Sequence, residues 1–269
     1  MGLATQLQRL TRIFEERGGP MLPVLRAVEA AQEPRYYVEV SALSRRMTIL
    51  LPARPDVLAP LASKLSLGEL PSRPLLKVFI DGDQLHFAVM SVGSVPASEG
   101  VTVAPPRART AWLDVVSAMH AFGSGAISSR LRFLDQQRAT LDVLYAARAP
   151  EDDAAFAASL DQIAWRLGVA PAQRELAKSH HSALQGAAVV VTGVCTDGGP
   201  APELAFMYGN TDWDEAVRLC QLVASQDAAR GGAAMLGTLA ATLEAETTSG
   251  VQLVLGPDGP DVNVLVTLK

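Results

Sequence analysis

The sequence predicts an α+β protein in which ten antiparallel β-strands close into a barrel with helices on its outside. At five places, two short alternating segments flank turn residues, as is typical of a β-hairpin. Segments with helical periodicity lie between these hairpins. One strand face is uniformly apolar, while the other also carries polar residues. Because a sheet of ten strands is large enough to curl and close, we expect five helix-strand-strand-helix repeats.

The first repeat contains two helical segments and a hairpin. The helices are predicted at 3–17 and 21–31, on either side of a Gly-Gly-Pro sequence that interrupts them. The alternating segments that follow predict strands near 35–42 and 46–52.

The second repeat begins at a proline, which is tolerated in the first turn of a helix, and predicts a helix over 55–66. Its hairpin covers 75–91 and turns at Asp81-Gly82-Asp83, where the glycine accepts a positive φ. A proline-rich loop over 94–109 leads to the next repeat.

The third repeat has a helix over 110–122 and a hairpin over 129–146. Two further helices are predicted, over 150–168 and 171–184. The acids Glu151, Asp152 and Asp153 suit the first turn of a helix because they interact favourably with its dipole. We prefer this interpretation to a magnesium-binding motif.

The last two repeats have hairpins at 187–209 and 250–269. Between them, Thr211-Asp212-Trp213-Asp214 caps a helix that continues to about 226. A second helix is predicted over 229–246.

Composition indicates a globular chain that forms one domain over residues 1–269. About half of the residues are apolar and 19% are charged, and the net charge of −5 argues against nucleic-acid binding. We expect no membrane span, no signal peptide and a cytoplasmic monomer. Cys195 and Cys220 are expected to be reduced thiols in the core. His180-His181 is expected at the solvated surface, because neighbouring helical residues diverge and no third metal ligand is spaced nearby.

Four stretches of sequence, together with the order of elements, resemble a known family. They are VEVSALSRRMTILLPA, VFIDGD, LRFLDQQRATLDVLYA and VVVTGVCTDGGPAPELAFMYGN. They resemble the successive hairpins of the ABBA (PT-barrel) prenyltransferases, a group that includes soluble aromatic prenyltransferases and the peptide prenyltransferases of cyanobactin pathways. The resemblance implies metal-independent transfer of an isoprenoid from its diphosphate to an aromatic or peptide acceptor inside the barrel, without a cofactor.

Strand parity predicts which residues face the lumen, and the resemblance gives them roles. Basic residues would hold the diphosphate, and aromatic residues would screen the allylic cation from water. The expected catalytic residues are Glu39 and Asp142. The expected substrate-binding residues are Tyr37, Arg46, Lys77, His86, Met90, Arg130, Arg132, Thr192, Met207 and Asn263. We call Arg46, Lys77, Arg130 and Arg132 the basic crown. The same parity assigns Val78, Ile80, Leu131, Phe133, Val189 and Val191 to the helix-covered face.

Several alternatives remain open from the sequence. Glu39 could form a salt bridge with Arg46 across its hairpin. The crown arginines of the third hairpin could be solvated, or could pair with Asp142 and Glu203. Since the last two hairpins place no cation on the lumen face, the chain could instead be a related barrel that binds or converts a hydrophobic metabolite without diphosphate chemistry. A two-domain protein with open sheets, used for protein contacts, is a third alternative.

Overall fold

The computed structural model describes thirteen segments of the chain. They are residues 36–44, 46–52, 74–81, 84–96, 126–133, 139–148, 152–167, 169–184, 189–195, 203–209, 211–243, 247–256 and 259–268. For the described residues between 51 and 148 and between 189 and 203, the structure describes the backbone alone. We therefore place these residues by strand register. The predicted helices at 3–17, 21–31, 55–66 and 110–122 lie outside the described residues.

Ten β-strands are arranged in five sequential hairpins. They are β1 (Tyr36–Ser41), β2 (Met47–Pro52), β3 (Pro74–Asp81), β4 (Gln84–Pro96), β5 (Ala126–Phe133), β6 (Ala139–Arg148), β7 (Val189–Cys195), β8 (Glu203–Gly209), β9 (Gly250–Gly256) and β10 (Gly259–Leu268). Each strand pairs antiparallel with the strands before and after it in the chain. Because β1 also pairs with β10, the ring of strands closes. The predicted antiparallel hairpins are confirmed.

Alternation along the strands separates a buried outer face from a more polar inner face. On β1, Val38 and Val40 are fully buried, and on β2 Met47 and Ile49 are too. The register pairs Val38 with Ile49 and Val40 with Met47, so these four side chains form one apolar patch. Residues of opposite parity, such as Glu39, are half-buried and face the lumen.

Four described helices follow the third and fourth hairpins. They are α1 (Asp153–Leu167), α2 (Pro171–Leu184), α3 (Trp213–Val223) and α4 (Gln226–Leu243). The side chain of Asp152 accepts from the backbone N–H of Ala155 at 2.8 Å, and that of Asp212 accepts from Glu215 N–H at 2.8 Å. These bonds satisfy N–H groups that a helix start leaves unpaired. The interpretation of Asp152 as a helix-start acid is confirmed.

The first two helices cover the outer face of β8. Phe156 of α1 meets Phe206 edge-on, with ring centroids 5.3 Å apart, and stacks on His181 of α2 at 3.8 Å. His180 meets the ring of Tyr208 edge-on at 4.6 Å. Phe206 and Tyr208 have the parity opposite to the lumen residue Met207, so these helices lie outside the ring.

The last two helices pack against each other, and α3 also contacts β10. Gly232 of α4 lies against the β1–β2 turn. A Cβ atom at Gly232 would be 3.3 Å from Leu43 Cδ2 and 3.4 Å from the carbonyl oxygen of Ala42. The missing side chain therefore allows the close approach of helix and turn. Within the described residues, no helix is both long and apolar enough to cross a membrane.

The placement of His180 and His181 at the solvated surface was wrong. Their exposed fractions are 0% and 1%, because α2 turns both side chains toward β8 and α3. The imidazole rings of His180 and His181 point in different directions, but the buried face of α2 is wide enough to include both. Among the described residues, no group of three potential ligands could hold a metal ion.

Cys220 is a free thiol buried under α4, as expected of a reduced core residue. Burial raises its pKa to about 12, and the nearby Asp261 carboxylate acts in the same direction. The thiol is therefore neutral and unreactive at physiological pH. Cys195 lies in β7, and the structure describes its backbone alone.

The barrel lumen as the candidate site

A row of polar side chains crosses four neighbouring strands on the lumen face. Ser41 Oγ donates to Asn263 Oδ1 at 2.8 Å. Asn263 Nδ2 donates to Glu39 Oε1 at 3.3 Å and to Gln252 Oε1 at 3.5 Å. Gln252 Nε2 in turn lies 3.8 Å from Met207 Sδ. We call these five residues the polar ladder.

Strand register explains why the ladder forms. Ser41 is directly opposite Asn263, Asn263 is opposite Gln252, and Gln252 is opposite Met207. Directly opposed residues have Cβ atoms only about 5 Å apart, within reach of short polar side chains. Glu39 joins from the next lumen position along β1. The ladder therefore depends on the closure of the ring between the first and last strands.

A cavity of about 290 Å³ lies beside the ladder, at the hairpin-turn end of the barrel. It is lined by Ser41, Leu43, Ser44, Arg46, Val254, Gly256, Gly259, Pro260, Asp261 and Asn263. Asp261 Oδ1 accepts from the backbone N–H groups of Leu43 at 3.1 Å and Val262 at 2.7 Å, which fixes this end of the β1–β2 turn to β10. The exposed Arg46 brings a cation to the entrance.

The register places several other predicted residues on the lumen face. Leu50 is opposite Lys77, so Lys77 shares the face of Glu39 and Thr48. On the next strand pair, Phe79 is opposite His86 and Leu75 is opposite Met90. Direct pairs share a face, so Lys77, His86 and Met90 have the parity that we predicted for them.

The predicted lumen positions of Arg130 and Arg132 are contradicted by the register. Arg132 is opposite Val89, and Arg130 is opposite Ser91, which puts both on the face opposite to Met90 and His86. Register followed around the ring from the β7 side gives the same result. Asp142 is opposite Gly193 on β7 and opposite Ser129 on β5, so Ser129, and not its neighbour Arg130, shares the face of Asp142. The irregularity in the β4–β5 pairing lies beyond these positions, between Val92 and Val95. The basic crown thus loses two of its four members.

The register also reverses the predicted faces of other residues on β5 and β7. Thr192 is opposite Leu204, whose face is the outer one, so Thr192 is not a lumen residue. Conversely, Leu131 and Phe133 pair with the lumen positions Met90 and Ala88. Val189 and Val191, which are opposite Met207 and Ala205, also lie on the lumen face. Val78 and Ile80 keep the predicted outer parity, opposite Ile49 and Met47.

The two predicted catalytic carboxylates lie on different walls. Asp142 has lumen parity on β6, which stands halfway around the ring from β1. Glu39 is on β1, next to Tyr37, whose exposed fraction of 38% shows that its ring reaches open space. Among the described side chains of β1 and β8–β10, the lumen face carries the carboxylates of Glu39 and Asp261 and no lysine or arginine.

Ser41 and Asp261 are polar residues of this region that were absent from the predicted site. Ser41 holds the Asn263 amide, and Asp261 shapes the cavity entrance. Their signal in the sequence is a polar residue at lumen parity near a strand end. That signal becomes informative only when the pairing of β1 with β10 is known.

Comparison with known proteins gives similar structures and no similar sequences. No protein-family model matches the chain, and no curated protein matches it. A 6-dimethylallyl tryptophan synthase superposes with a TM-score of 0.62 over 98% of this chain and 94% of its own, at 13% identity. The 6-dimethylallyltryptophan synthase from Micromonospora olivasterospora, solved in complex with DMASPP and Trp, gives 0.60 over 98% and 95%, at 14% identity. At this identity the likeness shows a shared fold.

Proposed function

We propose that this protein is a PT-barrel prenyltransferase that moves an isoprenoid from its diphosphate to an aromatic small molecule or peptide side chain. The observation that carries the proposal is Glu39, a half-buried carboxylate on the lumen wall of a barrel whose structural neighbours are dimethylallyltryptophan synthases. On this proposal the whole chain, residues 1–269, is one barrel domain of five repeats.

The reaction requires a base on the acceptor side. The bond between the allylic carbon and the diphosphate oxygen breaks, and the diphosphate leaves with the electron pair. An aromatic carbon of the acceptor then bonds to the allylic cation. Glu39 removes the proton from that carbon, which restores aromaticity. Asp142, on the opposite wall, is the second candidate for proton transfer.

On this proposal, basic residues from the β1–β2 connection, β3 and β4 hold the donor. Lys77 and His86 occupy diagonal lumen positions on neighbouring strands, since Phe79 is opposite His86 and two residues from Lys77. Diagonal neighbours are about 7–8 Å apart, a distance that one diphosphate can bridge. Arg46 at the entrance is the third basic residue. We expect charge-assisted bonds from these residues, and no metal ion, to offset the charge that develops on the leaving group.

On this proposal, aromatic residues on the lumen face screen the allylic cation from water. Tyr37 and Phe79 have lumen parity, and the register adds Phe133. Phe133 is opposite Ala88, which is opposite Lys77, so an aromatic residue lies in the same row as the proposed donor lysine. An aromatic wall beside the leaving group stabilises a cation and excludes water.

Turnover is the direct test. The protein is incubated with dimethylallyl diphosphate and with tryptophan, indole or a tryptophan-containing peptide, and products are followed by chromatography and mass spectrometry. We expect a prenylated aromatic product. Glu39→Gln should lower kcat about a hundredfold or more. Ser249→Ala is the matched control, because Ser249 bonds Thr267 on the same wall, at 2.7 Å, and its hydrogen bonds within the described residues involve no proposed catalytic group. Absence of product with every acceptor would contradict the proposal.

A second function is favoured by the outer-face position of Arg130 and Arg132. With two crown arginines outside, the barrel could bind a hydrophobic metabolite without diphosphate chemistry. Calorimetry with dimethylallyl thiolodiphosphate separates the two functions. If a donor site is present, Lys77→Gln should weaken binding at least tenfold, whereas Arg132→Gln should leave it unchanged. No binding by the unmutated protein at millimolar ligand would establish the second function as the better one.

A further inference from the structure

We propose that Asn263 is a positioning residue, which acts by fixing the carboxylate of Glu39 and not by binding substrate. The inference rests on the proposed function and assigns Asn263 a different role from the substrate contact expected from the sequence. It is carried by the three hydrogen bonds of the Asn263 side chain, to Ser41, Glu39 and Gln252.

The three bonds determine which way the amide points. Ser41 Oγ donates to Oδ1, while both acceptor oxygens, on Glu39 and Gln252, lie beside Nδ2. If the amide were rotated by half a turn, its oxygen would face the Glu39 carboxylate and the Gln252 oxygen. The Gln252 amide is oriented in turn, because its Nε2 lies beside Met207 Sδ. Only one arrangement of this part of the ladder satisfies all of these groups.

The backbone on both sides of the contact is held firmly. Val262 and Val264, the chain neighbours of Asn263, are fully buried on the outer face, as are Val38 and Val40 beside Glu39. Strands β1 and β10 are hydrogen-bonded through this region, with Ser41 opposite Asn263 and Glu39 opposite Leu265. A short amide side chain between two fixed strands can hold a carboxylate in one place.

The hydrogen-bond capacity of Asn263 argues for positioning over substrate contact. An asparagine amide has two N–H donors, and both are used within the ladder. An N–H donor favours the ionised form of its carboxylate partner, which is the form that can remove a proton. Asn263 therefore donates to Glu39 and orients its carboxylate, while the acceptor contacts Glu39 itself.

Asn263→Asp tests this role because it preserves shape and removes the donors. The two facing carboxylates would share one proton, so the acid limb of the kcat–pH profile should move to higher pH. We expect kcat to fall about tenfold to a hundredfold, with a smaller change in the acceptor KM. Ser249→Ala, which also removes a polar pair anchored on β10, should leave the profile unchanged.

Ser41→Ala is the second variant and guards against misfolding of the first. It removes the bond that orients the amide but no group near the proton, so it should lower kcat less and move the acid limb in the same direction. If Asn263→Asp raises the acceptor KM while kcat and the pH profile stay unchanged, Asn263 is a substrate contact and the inference is wrong.

A readout independent of turnover separates this inference from the proposed function. Carbon-13 NMR of the glutamate carboxyl groups, with the Glu39 signal assigned from Glu39→Gln, follows its titration directly. We expect the midpoint of that signal to rise in Asn263→Asp. A raised midpoint in a protein that prenylates nothing would support the positioning role and refute the enzyme. An unchanged midpoint in a protein that does prenylate an acceptor would refute the positioning role and support the proposed enzyme.

Discussion

His180 makes the fold sensitive to acid, and replacing it with leucine should remove most of that sensitivity. Its side chain is fully buried between α2, α3 and β8, and neither ring nitrogen has a hydrogen-bond partner among the described residues. Among the described residues, four groups face it. They are Glu215, whose Oε1 is 3.8 Å from Nδ1, Arg218, which is bonded to Glu215, the adjacent His181 and the Tyr208 ring.

Burial dominates the titration of His180. It lowers the pKa of the imidazole to about 4, although the Glu215 carboxylate acts in the opposite direction. As the pH falls below 6.5, the unfolded chain binds a proton at this histidine, whereas the folded chain does not until the pH nears 4. The contribution of neutral His180 to the free energy of unfolding is therefore fully present above pH 6.5 and is lost as the pH falls toward 4. The loss should be about 2 kcal/mol by pH 5 and about 3 kcal/mol at most.

Urea unfolding at pH 7.5 and pH 5.0 measures this loss. His180→Leu should lose about 2 kcal/mol less between these two pH values than the unmutated protein. Leu219→Ala, a truncation of a fully buried residue on α3, controls for simple destabilisation. It should lower stability by about 2–5 kcal/mol at both pH values and leave the difference between them unchanged. Equal losses in the His180→Leu and unmutated proteins would show that His180 is not the acid-sensitive group.

Two further predictions concern the metal and the packing of α4. If prenyl transfer is found, it should persist in excess EDTA; activity that disappears with EDTA and returns with magnesium would mean that Glu151 and its neighbours were misjudged. Gly232→Val should lower the free energy of unfolding by about 1–3 kcal/mol, because its added carbons would meet Leu43, the Ala42 carbonyl and Cys220 Sγ; Gly237→Ala, with nothing within 4 Å of the added Cβ, should be neutral or stabilising in the same urea titration.

The sequence predicted hairpins and helices well because their signals are local. The helix expected over 171–184 is observed as Pro171–Leu184, and Asp212 caps the next helix as expected. Within a hairpin, alternation and a short turn determine which residues face each other. For that reason the parity of β1 and β2 could be predicted, and Glu39 and Asn263 could be placed on the lumen face.

The sequence could not predict which residues of a strand face the lumen when a long connection separates that strand from the one before it. β5 follows a connection of some thirty residues after β4, and a connection of that length does not preserve the alternation of the strand before it. The segment SRLRF alternates arginines with apolar residues, so either face was compatible with the pattern. We assigned the apolar residues to the helices, whereas the register assigns them to the lumen. A single step of register reverses every residue of a strand, which is why Arg130, Arg132 and Thr192 were misplaced.

With Arg130 and Arg132 on the outer face, the proposed donor residues Lys77 and His86 lie on β3 and β4, and the polar ladder lies on β1 and β8–β10. The row that begins at Glu39 continues through Thr48 and Phe79 to His86, three strands away. With a spacing of roughly 4.8 Å between strands, the Glu39 and His86 positions are roughly 14 Å apart along the wall. On the proposed function, the ladder wall of β1 and β8–β10 would take part in proton removal from the acceptor, and β2–β4 would hold the anionic donor. Because β1 pairs with β2, these walls meet at Glu39 and Thr48, and we expect the new carbon–carbon bond to form there.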